Sequence, residues 1–188
     1  MNLLKNGNFS LPAASPTLLI GTGHAGNSSA PNWMIWNNAA PPDVCAYTST
    51  AIITLKDVVG PLPTSDSTQP YCFGIHYFRE ILQHVPGTTQ VIEVCTNGGF
   101  NGLFQLFGGE HQRTRSSAWV FVLRGHAGIG TGHGGVTIID KASTKLYEWE
   151  HLQAPNGGSP ATEFIVYSTN NDVDGAWFFV ANADVEPM

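Results

Sequence analysis

The chain has 188 residues, of which 42% are apolar and 12% charged, and a formal net charge of −6 from 8 Lys+Arg against 14 Asp+Glu. That length supplies one good core, while a charged share about half the usual one leaves Ser, Thr, Asn, Gln and Gly to build the polar surface and argues against long surface helices. Eight scattered cations form no basic stripe, so nucleic acid and anionic membranes are not expected partners, and no apolar run reaches the length of a membrane span.

Along the chain, "MNLLK" turns polar at once, so no signal peptide is expected. The composition favours an extracellular or particle-associated location, reached by lysis or after removal of a leader, with retention in the cytoplasm as the alternative. Residues 20–26, "IGTGHAG", fit the dinucleotide fingerprint G-x-G-x-x-G through Gly21, Gly23 and Gly26. That fingerprint binds a pyrophosphate only where it leaves a strand and opens a helix. Here "NSSAPNW" follows, and its Pro31 and Ser/Asn cluster stop any helix. A second copy, "GIGTGHGG" at 128–135, follows the strand-like "SAWVFVLRG" but runs into the β-branched "GVTIID". Both copies are read as glycine loops, without a nucleotide.

Nine strand-like runs follow in order: "AIITLKDVV", "YCFGIHYF", "QVIEVCT", "GLFQLFG", "AWVFVLRG", "GVTIID", "KLYEWEHLQ", "EFIVYST" and "AWFFVANADVE". Turn clusters such as "PGTT", "TNGG", "APNGGSP" and "TNNDVDG" divide them. The best helical stretch is "FREILQHV" at 78–85, cut short by Pro86-Gly87. Nine strands and no linker predict one domain over 1–188, all-β, an antiparallel β-sandwich or jelly roll. Cys45, Cys72 and Cys95 sit in apolar or aromatic runs and are read as buried thiols, with a Cys72–Cys95 bridge left open.

Alternation assigns faces within strands. In "AWVFVLRG", Trp119, Phe121 and Leu123 share one side, and Val120, Val122 and Arg124 the other. In "NGLFQLFG", Gln105 lies with Leu103 and Phe107. Arg124 and Gln105 are long hydrogen-bonding side chains in apolar strands, suited to gripping a polar ligand.

The two ends carry a resemblance. "NLLKNGNFS" at 2–10 followed by "PNWMIWNN" at 31–38 resembles the opening of galactose-binding-like β-sandwich modules, the xylan- and glucan-binding carbohydrate-binding modules among them. "AWFFVANADVE" at 176–186 is similar to their closing strand, and "GGFNGLFQLFGG", "RTRSSAWVFVLRG" and "LYEWEHLQAP" fall in the family's order between them. The resemblance implies a galactose-binding-domain-like sandwich whose first and last segments lie side by side, with "HAGIGTGHGG" as a tight hairpin or bulged loop at its rim, needing positive φ at several glycines. Many relatives hold a structural calcium through two carboxylates. Ser10 and Ala181 stand at those places here, so that calcium is expected to be absent.

The resemblance implies a non-catalytic, lectin-like domain that takes a glycan or polysaccharide, stacking it on an aromatic ring and binding its hydroxyls with Arg, Asn, Gln and His. Trp33, Trp119 and Trp177 are read as packing residues, and Trp36, beside Asn38 at a strand end, as a ligand contact. His76, Tyr77 and Arg79 form one wall of a cleft, Gln105 and Arg124 its floor and His126 its edge. Weak single-site affinity would be raised by multivalency in a homo-oligomer. No HExxH or other zinc spacing occurs among the seven histidines, so no metal is expected. The alternatives are a structural or attachment subunit of a particle, or a jelly-roll hydrolase or lyase using a carboxylate pair drawn from residues such as Glu110, Glu148, Glu150 and Glu163. No catalytic signature selects such a pair.

Overall fold

The computed structural model describes residues 1–38, 40, 45–54, 90–111, 113–133, 136–155 and 160–188. The candidate wall of His76, Tyr77 and Arg79, the helical stretch 78–85, the strand-like 71–78 and Cys72 lie outside these residues. Within them the chain forms strands only: β1 (Thr17–Ile20), β2 (His24–Asn27), β3 (Met34–Asn37), β4 (Tyr47–Thr54), β5 (Gln90–Thr96), β6 (Gly102–His111), β7 (Thr114–Arg124), β8 (Ala127–His133), β9 (Val136–Ala142), β10 (Trp149–Pro155), β11 (Ala161–Ser168) and β12 (Trp177–Pro187). They make two six-stranded sheets, ordered β1-β4-β5-β12-β7-β10 and β2-β3-β6-β11-β8-β9, with every pairing antiparallel. The chain passes repeatedly from one sheet to the other, so the predicted all-β sandwich is the observed architecture.

The period-two pattern builds the core. Val120 and Val122 of β7, Phe164 and Val166 of β11 and Phe178 and Val180 of β12 all point between the sheets, joined there by Trp33, Phe9, Leu103 and Ile129. The first sheet is apolar on its outer side as well. Phe121, Phe179, Val91 and Ala181 form a second buried cluster there, flanked by half-buried Trp119, Trp149 and Trp177. Trp119 and Trp177 are therefore packing residues of this outer layer, and Trp33 belongs to the main core.

The two ends do lie together. Leu3 N donates to Val185 O at 2.8 Å, and Ala183 N donates to Gly7 O at 2.8 Å. Phe9 and Trp33 bring their rings within 5.3 Å, and Trp33 meets Phe164 edge-on at 6.1 Å. Cys95 is a buried free thiol, but Cys45 is exposed, against the expectation that every thiol is inside.

The second glycine run is not the rim loop that the sequence suggested. Residues 127–133 are β8 itself, paired with β11 on one side and β9 on the other. Gly128, Gly130 and Gly132 lack positive φ, which among the described glycines of this stretch occurs at Gly125, before the strand. What requires glycine is close approach. A Cβ on Gly130 would sit 1.8 Å from the carbonyl oxygen of Ile138, and one on Gly128 would sit 2.5 Å from the Ile139 side chain. The pairing register shifts between Ile129 and Gly130. Bare backbone at every second residue lets the edge strand β9 approach β8 this closely. The first copy is in part the loop it was read as: Gly21 and Gly23 take positive φ in the turn between β1 and β2, and Gly26 lies in β2.

Candidate functional site

The outer face of the second sheet carries a groove of about 550 Å³. Register across the strands orders its floor. One row runs Ala25, Trp36, Gly102, Tyr167, Gly128. The next holds Phe104 opposite Ile165, and the third holds Glu163 opposite Gly132, which pairs with Thr137. Alternation in "EFIVYST" turns Glu163, Ile165 and Tyr167 outward, because Phe164 and Val166 are needed in the core. Gly102, between Trp36 and Tyr167, lets Tyr167 approach closely, since a Cβ there would lie 3.1 Å from Tyr167 Cδ1. β9 closes the far side with Val136 and Thr137.

The groove is aromatic with few polar groups. Trp36, Phe100 and Phe104 are half-buried, and Tyr167 is almost fully buried. Phe100 meets Tyr167 edge-on, with centroids 5.1 Å apart and planes at 80°. Its backbone sits at φ 60 and its amide donates to Ser168 O at 3.0 Å. Asn38 is fixed by its backbone amide, which donates to Asn101 Oδ1 at 2.6 Å. Its side-chain amide is exposed and makes no hydrogen bond to the described residues. Thr137 donates its hydroxyl to Glu163 Oε1. Burial, and after it the charge of Glu163, holds the Tyr167 phenol well above its ordinary range, so it stays neutral.

The expected site residues divide accordingly. Trp36 and Asn38 line this groove. Gln105 does not: its strand partner positions face the core, it is 3% exposed, and it clamps the N-terminal segment. Lys5 N donates to Gln105 Oε1 at 2.5 Å and Gln105 Nε2 returns a bond to Lys5 O at 2.8 Å, leaving no amide group for a ligand. Arg124 ends β7 in the opposite sheet and donates to Thr96 O at 3.2 Å. His126 takes part in a loop clasp, with its amide and Nδ1 both on Asp172, which also takes the amide and hydroxyl of Thr169. Neither Arg124 nor His126 lines the groove. Phe100, Phe104, Thr137, Glu163 and Tyr167 were not among the expected ligand contacts. Outward alternation in β6 and β11 was the signal that pointed to three of them.

The outer face of the first sheet is aromatic too, but its groups satisfy one another. Trp119 stacks on His151 at 4.7 Å, Phe121 meets Trp149 and Phe179 edge-on, and Trp177 Nε1 donates to Glu93 Oε1 at 2.9 Å. Burial pushes the Glu93 carboxyl up to about 7, with the Trp177 hydrogen bond opposing.

No protein-family model matches the chain, and no curated protein does. Among solved structures, the carbohydrate-binding module TmCBM61, in complex with β-1,4-galactotriose, is 12% identical, covers 100% of this chain and 99% of its own, and superposes with a TM-score of 0.51. The xylan-binding CBM22-1 domain from Paenibacillus barcinonensis is 10% identical over 93% of this chain and 97% of its own, with a TM-score of 0.48. At such identity the first likeness speaks for the fold alone, and with the observed sheets it identifies the chain as an antiparallel β-sandwich with the fold of the carbohydrate-binding modules.

Proposed function

We propose that the chain is a non-catalytic glycan-binding domain that receives a sugar chain in the groove on its second sheet. One observation carries this reading: half-buried rings of Trp36, Phe100 and Phe104 stand beside the exposed amide of Asn38 and the carboxylate of Glu163 in a single depression. Pyranose rings present apolar faces and a fringe of hydroxyls, and this pairing of flat apolar surface with planar polar groups matches both. The volume of about 550 Å³ lies within the range of small-ligand clefts. The sandwich shared with a module solved on β-1,4-galactotriose supports the reading at the level of fold. Glycoside hydrolysis needs two facing carboxyl groups. Glu163 is the one carboxylate among the groove-lining residues described, which favours binding over cleavage.

Titration calorimetry against a panel of neutral oligosaccharides tests the proposal. Trp36→Ala is expected to weaken binding about tenfold or more, the scale of a lost stacking contact, with little change in melting temperature. Trp149→Ala, on the opposite sheet, should bind as the wild type does. Undiminished binding by Trp36→Ala would remove the groove as the site.

A further inference from the structure

We infer that the groove is selective for charge: it takes glycans that carry no negative group and turns away uronate- or sulfate-bearing ones, with Glu163 as the selecting residue. The inference rests on the glycan reading above and goes on to name the class of sugar.

Glu163 stands on β11 with its Oε1 tied to the Thr137 hydroxyl. The strand opposite leaves space for it only because residue 132 is glycine; a Cβ there would lie 2.2 Å from that same oxygen and 2.8 Å from Thr137 Oγ1. The carboxylate is thus held from two strands. Its second oxygen has no hydrogen-bond partner among the described residues, so its accepting capacity faces the groove.

Nothing in the described lining balances that charge. The remaining lining residues are neutral: aromatic rings, Ala25, Val136, Thr137 and Asn38, without a lysine, arginine or histidine. The rest of the described lining is largely apolar, and beside apolar groups one charge acts on another more strongly than in open water. A sugar hydroxyl or an ammonium group donates a hydrogen to the free oxygen of Glu163. A carboxylate or sulfate brings only lone pairs to the same place and meets a like charge, with no cation among the described lining residues to offset it. The chain's net charge of −6 adds repulsion of the same sign at longer range.

The test uses matched probes: β-1,4-galactotriose and cellotriose, each as the neutral trisaccharide and as the form oxidised at C6 to the uronate. Affinities are measured by titration at low ionic strength for the wild type and Glu163→Gln, with melting temperature checking that the variant folds. The wild type is expected to prefer the neutral form by about tenfold or more. In Glu163→Gln that ratio should fall below about threefold, whatever happens to either affinity alone. Equal wild-type affinity for both forms, or an unchanged ratio in the variant, overturns the charge selection and leaves the glycan reading standing. Failure of every form to bind the wild type overturns both.

Discussion

Gly130→Ala is expected to lose about 3 kcal/mol of stability or more, the upper end of what overpacking costs. The added methyl would lie 1.8 Å from the backbone carbonyl of Ile138, and a carbonyl held in the β8–β9 ladder cannot swing aside as a side chain can. Gly108→Ala supplies the contrast. It lies in β6 with nothing within 4 Å of its would-be Cβ, so the change should be neutral or slightly stabilising through the unfolded chain. Denaturant unfolding of both variants reads the difference. A Gly130→Ala protein as stable as the wild type would mean that β9 does not pack this closely against β8, and the groove would lose its far wall.

Stability should also fall as pH rises from 5 to 8, and Glu93→Gln should abolish a large part of that fall. The Glu93 carboxyl moves from 4.5 to about 7 on folding, chiefly because burial disfavours its charge. The folded chain therefore holds the proton more tightly than the unfolded chain does. The associated stability is fully present below pH 4.5 and is lost as pH climbs through about 7, a change on the order of 3 kcal/mol. Asp140 and Asp184 are also raised by burial and add changes of the same sign, which persist in the variant. The quantity to measure is thus the difference between wild type and Glu93→Gln at each pH. Parallel profiles across this window would show that Glu93 sits in water, and that the outer layer built on Trp177 and Phe179 is not closed around it.

The fold was largely written in local alternation. β5, β7, β11 and β12 fall close to where period-two patterning places them, and the motifs at the two ends meet as their resemblance implied. What failed locally depended on distant partners. The pattern put Gln105 on the right side of its strand, beside Leu103 and Phe107, yet only Lys5, one hundred residues earlier, shows why an amide belongs there. The alternation of glycines at 128, 130 and 132 is itself a strand period, but glycine is a poor strand former, and the reason for it is the backbone of β9. Four-residue strands such as β1 and β2 offer too few residues for a pattern to show.

The groove was half legible for the same reason. Trp36 could be singled out because its neighbours in sequence are Asn37 and Asn38. Tyr167, Phe104 and Phe100 join it only through the register that sets β3, β6 and β11 side by side. Arg124 and His126 have the right chemistry for a glycan, but they do not line this groove; Arg124 donates to Thr96 O and His126 pairs with Asp172.

Indole N–H signals offer the most direct test of the site, because the chain's five tryptophans sample the whole sandwich. Trp36 lines the groove, Trp33 is in the core, and Trp119, Trp149 and Trp177 lie on the outer side of the first sheet. When ¹⁵N-labelled protein is titrated with a bound neutral oligosaccharide, the Trp36 signal should move with ligand concentration while the other four stay in place. Movement of Trp119, Trp149 or Trp177 with Trp36 unmoved would put the sugar on the opposite face and contradict the assignment.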